Sequence, residues 1–230
     1  MLKITPSQMA AFGEGQERRF RRQVLDEIQR SYPDYAGLAP VILDRLLDMA
    51  LKRARGYGFA WESTLGQFAY LMAAIAPNFD LHPAIHAGLV NPGVPAEGRI
   101  DALVENLPDG VWTEAKAAAS TLGWFLAEDA FAAKPSARIA MALSNALPQD
   151  IPAPPSELEG KVLPAMERGK GLGFADEDGQ YVFAACQIIY GAGFETRLAW
   201  AKDALDPEYT PALRTALLRA RVAIDTAAWL

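Results

Sequence analysis

The phrase RARGYGFAWE at residues 53–62 returns as RGKGLGFADE at 168–177, and the two share the frame R-x-x-G-x-G-F-A-x-E. A shift of 115 residues, half of the 230-residue chain, carries one onto the other. The same shift runs on without a gap. Pro33 falls on Pro148, Pro40 on Pro155, Phe68 and Ala69 on Phe183 and Ala184, Phe79 on Phe194, Ala84 on Ala199, Pro92 on Pro207, Arg99 on Arg214 and Leu103 on Leu218. Over residues 33–107 roughly a fifth of positions are identical, against about one in fifteen expected by chance for ordinary composition. A register held that long marks an internal duplication, and what one unit folds into the other must fold into as well. Two tandem helical units are expected, 1–109 and 110–230, packed into one compact protein. Pro108, Asp109 and Gly110 supply the turn at their junction. Ahead of residue 33 the match is faint, with Val24 opposite Ile139 and Ile28 opposite Leu143. The proline-rich stretch 147–160 lies opposite 32–45, which makes it an internal loop rather than an interdomain linker.

Within each unit the periodicity is helical. Thr5, Pro6 and Gln8 form a capping-box start, after which Met9, Phe12, Phe20, Val24, Leu25, Ile28 and Tyr32 recur at helical multiples until Pro33. Ile42, Leu43, Leu46, Leu47, Ala50 and Ala54 make a second stripe, and Leu65, Phe68, Ala69, Met72 and Ile75 a third, echoed by Val182, Phe183, Cys186, Ile189 and Tyr190. Pro211 opens a last helix. Period-two runs of β-branched residues are absent, so the fold class is all-α.

The repeated frame carries two glycines but no nucleotide fingerprint: the third glycine is missing, Trp61 stands in its neighbourhood, and no Lys-Ser/Thr follows. A helix-to-helix joint is the physical alternative. In it Gly56 and Gly171 end a helix in the left-handed conformation, Gly58 and Gly173 allow the next tight turn, and Phe59 and Phe174 plug the corner. Arg53 with Glu62, and Arg168 with Glu177, are placed to pair across the joint or to satisfy helix ends.

His82 and His86 have the i, i+4 spacing of a helical metal pair, but Pro83 intervenes, no H-E-x-x-H glutamate is present, and the second unit has Arg197 and Ala201 there. Cys186 sits on an apolar stripe, where a buried structural thiol is the expectation. No complete catalytic set, metal or cofactor site is read from the sequence. Net charge is −6, which disfavours nonspecific binding to nucleic acid or an anionic membrane. With one cysteine and no apolar run of signal or spanning length, a cytoplasmic protein is expected. For binding another protein the candidates are Arg18, Arg19, Arg21 and Arg22 on the first helix, whose guanidinium groups match carboxylates. Among five tryptophans, Trp61 and Trp229 are candidates for interface anchors or, equally, for core packing.

Tyr32-Pro33, the Arg53-Ala54 and Tyr57-Gly58-Phe59 turn with Glu62, and Phe79-Asp80 closing the next helix together resemble small helical proteins encoded within bacterial type VI secretion clusters. The resemblance covers roughly residues 4–107 and reaches the rest of the chain through the duplication. Ala60 and Trp61 depart from it, since a Ser or Thr is expected at that helix start. It implies a cytoplasmic, non-enzymatic adaptor or chaperone-like protein that helps an effector load, with an effector, a spike component or a dedicated chaperone as partner; the oligomeric state stays open. An immunity protein neutralising a cognate toxin is the alternative. An enzyme using a groove between the units, where Glu62, His82 or His86 converge, is a third.

Overall fold

The computed structural model describes residues 6–126, 133–147, 154–226 and 228–230, with side chains from residue 14 onward. The described residues are all helical or connecting, with no strand among them. Helix α1 spans Pro6–Ser31, followed by the short α2 (Pro33–Ala36), α3 (Pro40–Gly56), α4 (Glu62–Ala74), α5 (Pro83–Leu89), α6 (Arg99–Asn106) and α7 (Asp109–Ala117). Then come α8 (Pro135–Ala146), α9 (Pro155–Gly171), α10 (Glu177–Tyr190), the short α11 (Phe194–Arg197), α12 (Ala199–Ala204) and α13 (Pro211–Thr226). Seven of these helices begin on a proline, whose fixed φ suits the first helical position and whose missing N–H is not needed there. The expected cap at Thr5 lies outside the described residues, as do residues 148–153 of the proline-rich stretch; residues 155–160 of that stretch, expected as loop, form the start of α9, with Pro155 at the first helical position.

The apolar stripes bury as expected. Leu43, Leu46, Leu47, Ala50 and Ala54 of α3 meet Leu65, Phe68, Ala69 and Met72 of α4, and Val182, Phe183 and Cys186 of α10 are fully enclosed. Burial drives the Cys186 thiol pKa well up, in keeping with an inert structural role. Val24 and Phe20 of α1 lie against α4, where a side chain at Gly66 would touch both. Buried side chains from both halves of the chain join in one core. The segment around the 3₁₀ turn Thr121–Phe125 runs through it, with Trp124 edge-on to Tyr35 at 5.8 Å between ring centroids. Trp229 packs on Tyr35 and Phe125, so of its two expected roles, interface anchor or core packing, it takes the second.

Helices α3 and α9 start and end 115 residues apart, and α4 and α10 begin 115 residues apart. In both halves a phenylalanine ladder follows: Phe68 and Phe79 have centroids 5.1 Å apart, Phe183 and Phe194 5.2 Å. Leu107 and Pro108 make the turn between α6 and α7. Helix α7 then lies back on the first half, with His82 Nε2 3.3 Å from Glu114 Oε2 and Asn78 Nδ2 donating to the Ala118 carbonyl at 2.9 Å.

Candidate functional site

The joint is a helix C-terminus closed by a Schellman motif. The Gly58 amide donates to Arg55 O at 2.9 Å and the Phe59 amide to Ala54 O at 3.3 Å; Gly173 and Phe174 donate to Lys170 O and Gly169 O, each at 3.0 Å. Gly58 and Gly173 carry the positive φ, 87° and 91°. This corrects the expectation for Gly56 and Gly171, which are the last helical residues. The left-handed position in this motif comes one residue past the cap, here Tyr57 and Leu172, and only there does a Cβ collide with the next carbonyl. Phe59 and Phe174 are buried against the helix they terminate, as expected.

Arg53 does not pair with Glu62. Its side chain is 1 % exposed and is spanned by Asp80, which is wholly buried: Nε donates to Asp80 Oδ2 at 2.5 Å and Nη2 to Oδ1. Nη1 donates to Pro77 O at 3.2 Å and to Gly123 O. A buried cation survives because nearly every donor has a fixed acceptor. Gly123 is glycine because a Cβ there would stand 2.6 Å from the Pro77 carbonyl and the Asn78 amide nitrogen. The Tyr57 hydroxyl donates to Asp80 Oδ2 at 3.0 Å, and His86 Nδ1 lies 3.4 Å from the same hydroxyl oxygen.

In the second half Arg168 Nε donates to Glu195 Oε1 at 2.7 Å, in the same relative place but with the arginine side chain 55 % exposed. Glu177 bonds Arg138 of α8 at 2.8 Å rather than Arg168, and Glu62 is exposed in the first turn of α4. Arg99 and Arg214 complete the joint by donating to Tyr57 O at 3.1 Å and Leu172 O at 2.6 Å, the cap carbonyls. The acidic partners escaped the sequence reading although Asp80 falls opposite Glu195 in the same register. Acid for acid was the available signal.

The two helix starts after the joint differ. Asp176 caps α10 with its own carboxylate, accepting from Gly179 N at 2.6 Å. Trp61 cannot do so, and the cap comes from across the fold: Glu97 Oε1 accepts from the amides of Ala60 at 2.7 Å and Trp61 at 3.1 Å. Desolvation works against the Glu97 charge, but hydrogen bonds from Thr64, Ala60 and Trp61 outweigh it and hold the carboxyl below its ordinary pKa. This frees Trp61 from capping, and its side chain stands 65 % exposed.

His82 stands at the N-cap position of α5, in extended backbone just outside the helix and without a side-chain cap, while His86 sits within it, so the i, i+4 pair does not share one helical face. They bond Glu114 and Tyr57 respectively. Among the described residues no group of three or more His, Cys, Asp or Glu is arranged to hold a metal, and no helix is long and apolar enough to cross a membrane.

Three of the four candidate arginines come together. Arg18, Arg21 and Arg22 line an open cleft of about 310 Å³ between α1 and α3, floored by Leu25, Leu43 and Pro40 and edged by Asp26, Gln29 and Asp44. Arg18, Arg22, Leu25 and Gln29 form one ridge of α1 at i, i+4, i+7 and i+11 spacing, whereas Arg19 is turned away from it. Arg21 is held at Asp48, 2.6 Å away, and Asp44, 3.5 Å away; Arg18 and Arg22 are exposed and, among the described residues, form no ion pair. Trp61 is not part of this lining.

Compared with protein-family models, curated proteins and solved structures, the chain finds no match.

Proposed function

We propose that this chain is a non-enzymatic, protein-binding adaptor or chaperone-like accessory protein of bacterial type VI secretion, assisting effector loading, built as two tandem helical units at 1–109 and 110–230. The observation that carries the binding reading is the α1–α3 cleft. It offers an apolar floor beside two arginines that no carboxylate of the described fold neutralises, a surface suited to an acidic segment of a partner protein. The secretion setting is supported by the resemblance alone. The tandem reading is supported by the repeated Schellman joint, the repeated arginine–acid pair and the repeated arginine on the cap carbonyl.

The test is co-purification of the tagged chain with the effectors, spike components and chaperones encoded beside it, in parallel with an Arg18→Glu, Arg22→Glu variant. Capture by the parent chain and loss in the variant, at unchanged helicity, is the expected result. Equal capture by both removes the cleft. Growth protection against a neighbouring toxin, without any effect on secretion, would move the protein to the immunity class.

A further inference from the structure

On the other side of α1 a second groove opens between α4 and α6. It has a volume of about 410 Å³, and its walls include Tyr32, Tyr70, Ile100, Asp101, Val104 and Glu105. Its character is opposite to that of the arginine cleft. Tyrosine rings and aliphatic side chains make the floor, and Val104 is 59 % exposed, a large apolar group at the very lip. The rim is acidic: Asp101 and Glu105 lie at i, i+4 on α6, neighbours on one helix face and mutually repulsive. Neither carboxylate forms an ion pair among the described residues; Asp101 accepts only the Gln67 amide, at 3.0 Å. Burial raises the pKa of the Tyr70 hydroxyl, the Glu27 carboxylate adds to it, and Arg30, engaged with Glu27 at 2.5 Å, offsets only part.

We propose that this groove is a docking site for an amphipathic helix of a partner protein that carries lysine or arginine beside its apolar face. Four residues of α4 along the groove, Gln67, Tyr70, Leu71 and Ala74, stand at i, i+3, i+4 and i+7, a ridge against which another helix packs. Cations spaced i, i+4 on the incoming helix match the Asp101 and Glu105 spacing, and the tyrosine faces favour a cation above them. The site stands independently of the α1–α3 cleft, whose occupant has the opposite charge.

Two synthetic helical peptides with one leucine seam, flanked in one by lysine and in the other by glutamate, are titrated into the isotope-labelled full chain and followed by amide chemical shifts. The lysine peptide is expected to shift residues 67–74 and 100–105. The Asp101→Asn, Glu105→Gln variant keeps the fold and is expected to weaken that binding about fivefold, from two charge pairs of roughly 0.5 kcal/mol each. Three results overturn the proposal: equal binding of the glutamate peptide at these residues, unchanged affinity in the variant, or no shifts in this groove at peptide concentrations of about a millimolar.

Discussion

Asp80→Asn tests the centre of the first joint. The substitution preserves shape but removes the charge that faces Arg53, and places an amide donor against either the guanidinium or the Tyr57 hydroxyl. The pair is buried, with the arginine side chain 1 % and the aspartate 0 % exposed, so solvent cannot take over the lost interaction. Removing one partner of such a pair costs about 3–5 kcal/mol, because the remaining charge is left in a poorly polarisable interior. The carbonyls of Pro77 and Gly123 still hold Nη1, which places the expectation near the lower end, about 3 kcal/mol. For a domain of this size that is a fall in Tm of roughly 6–12 °C. Thermal unfolding followed by far-ultraviolet circular dichroism, with a urea titration to confirm an unchanged m-value, reads it directly. The internal control is Arg21→Ala, which removes contacts with carboxylates that are mostly exposed and is expected to cost under about 1 kcal/mol. A Tm loss for Asp80→Asn no larger than that of the control would refute the assignment of this pair as the fold's internal anchor.

The two glycines of each joint should respond in opposite directions. Gly173→Ala forces a left-handed alanine at φ 91° and is expected to destabilise by about 1–2 kcal/mol, as is Gly58→Ala; Gly171→Ala, helical and with open space around a new Cβ, should stabilise by about 0.4–1 kcal/mol. Chemical denaturation of the variants decides, and the same sign at both positions would contradict the Schellman assignment. Glu97→Ala removes the cap of α4 and is expected to cost about 1 kcal/mol at neutral pH. Because the folded pKa of Glu97 is lowered, this contribution is present above the unfolded glutamate value of about 4.3 and disappears as pH falls through the lower folded value. Parent and variant stability curves should therefore converge in acid, and a gap that stays undiminished as the pH is lowered would show that the loss is not the carboxylate cap.

Much of the helical layout was legible because it depends on local chemistry. Prolines at first turns, glycines past helix ends and apolar residues at 3.6-residue spacing act over a few residues, so they mark α3, α4, α10 and α13 without knowledge of what packs on them. The arginine ridge of α1 was legible for the same reason, since i, i+4 neighbours follow from the helix itself. What escaped were contacts across long separations. Arg53 meets an acid 27 residues away and a carbonyl 70 away, the cap of α4 arrives from Glu97, 36 residues beyond Trp61, and Trp229 folds back on Tyr35. In the sequence Arg53 and Glu62 are near neighbours with opposite charge and Trp61 is only an uncapped helix start. The sequence by itself determined where the main apolar helices lie and that the frame of the joint occurs twice; the tertiary structure alone decided which acid Arg53 and Arg168 each take, which residue caps which helix, and which charges stay exposed. The reason is physical. Helix boundaries are settled by backbone hydrogen bonds within one or two turns, whereas the partner of a buried charge is whichever group the packed helices bring within about 3 Å of it.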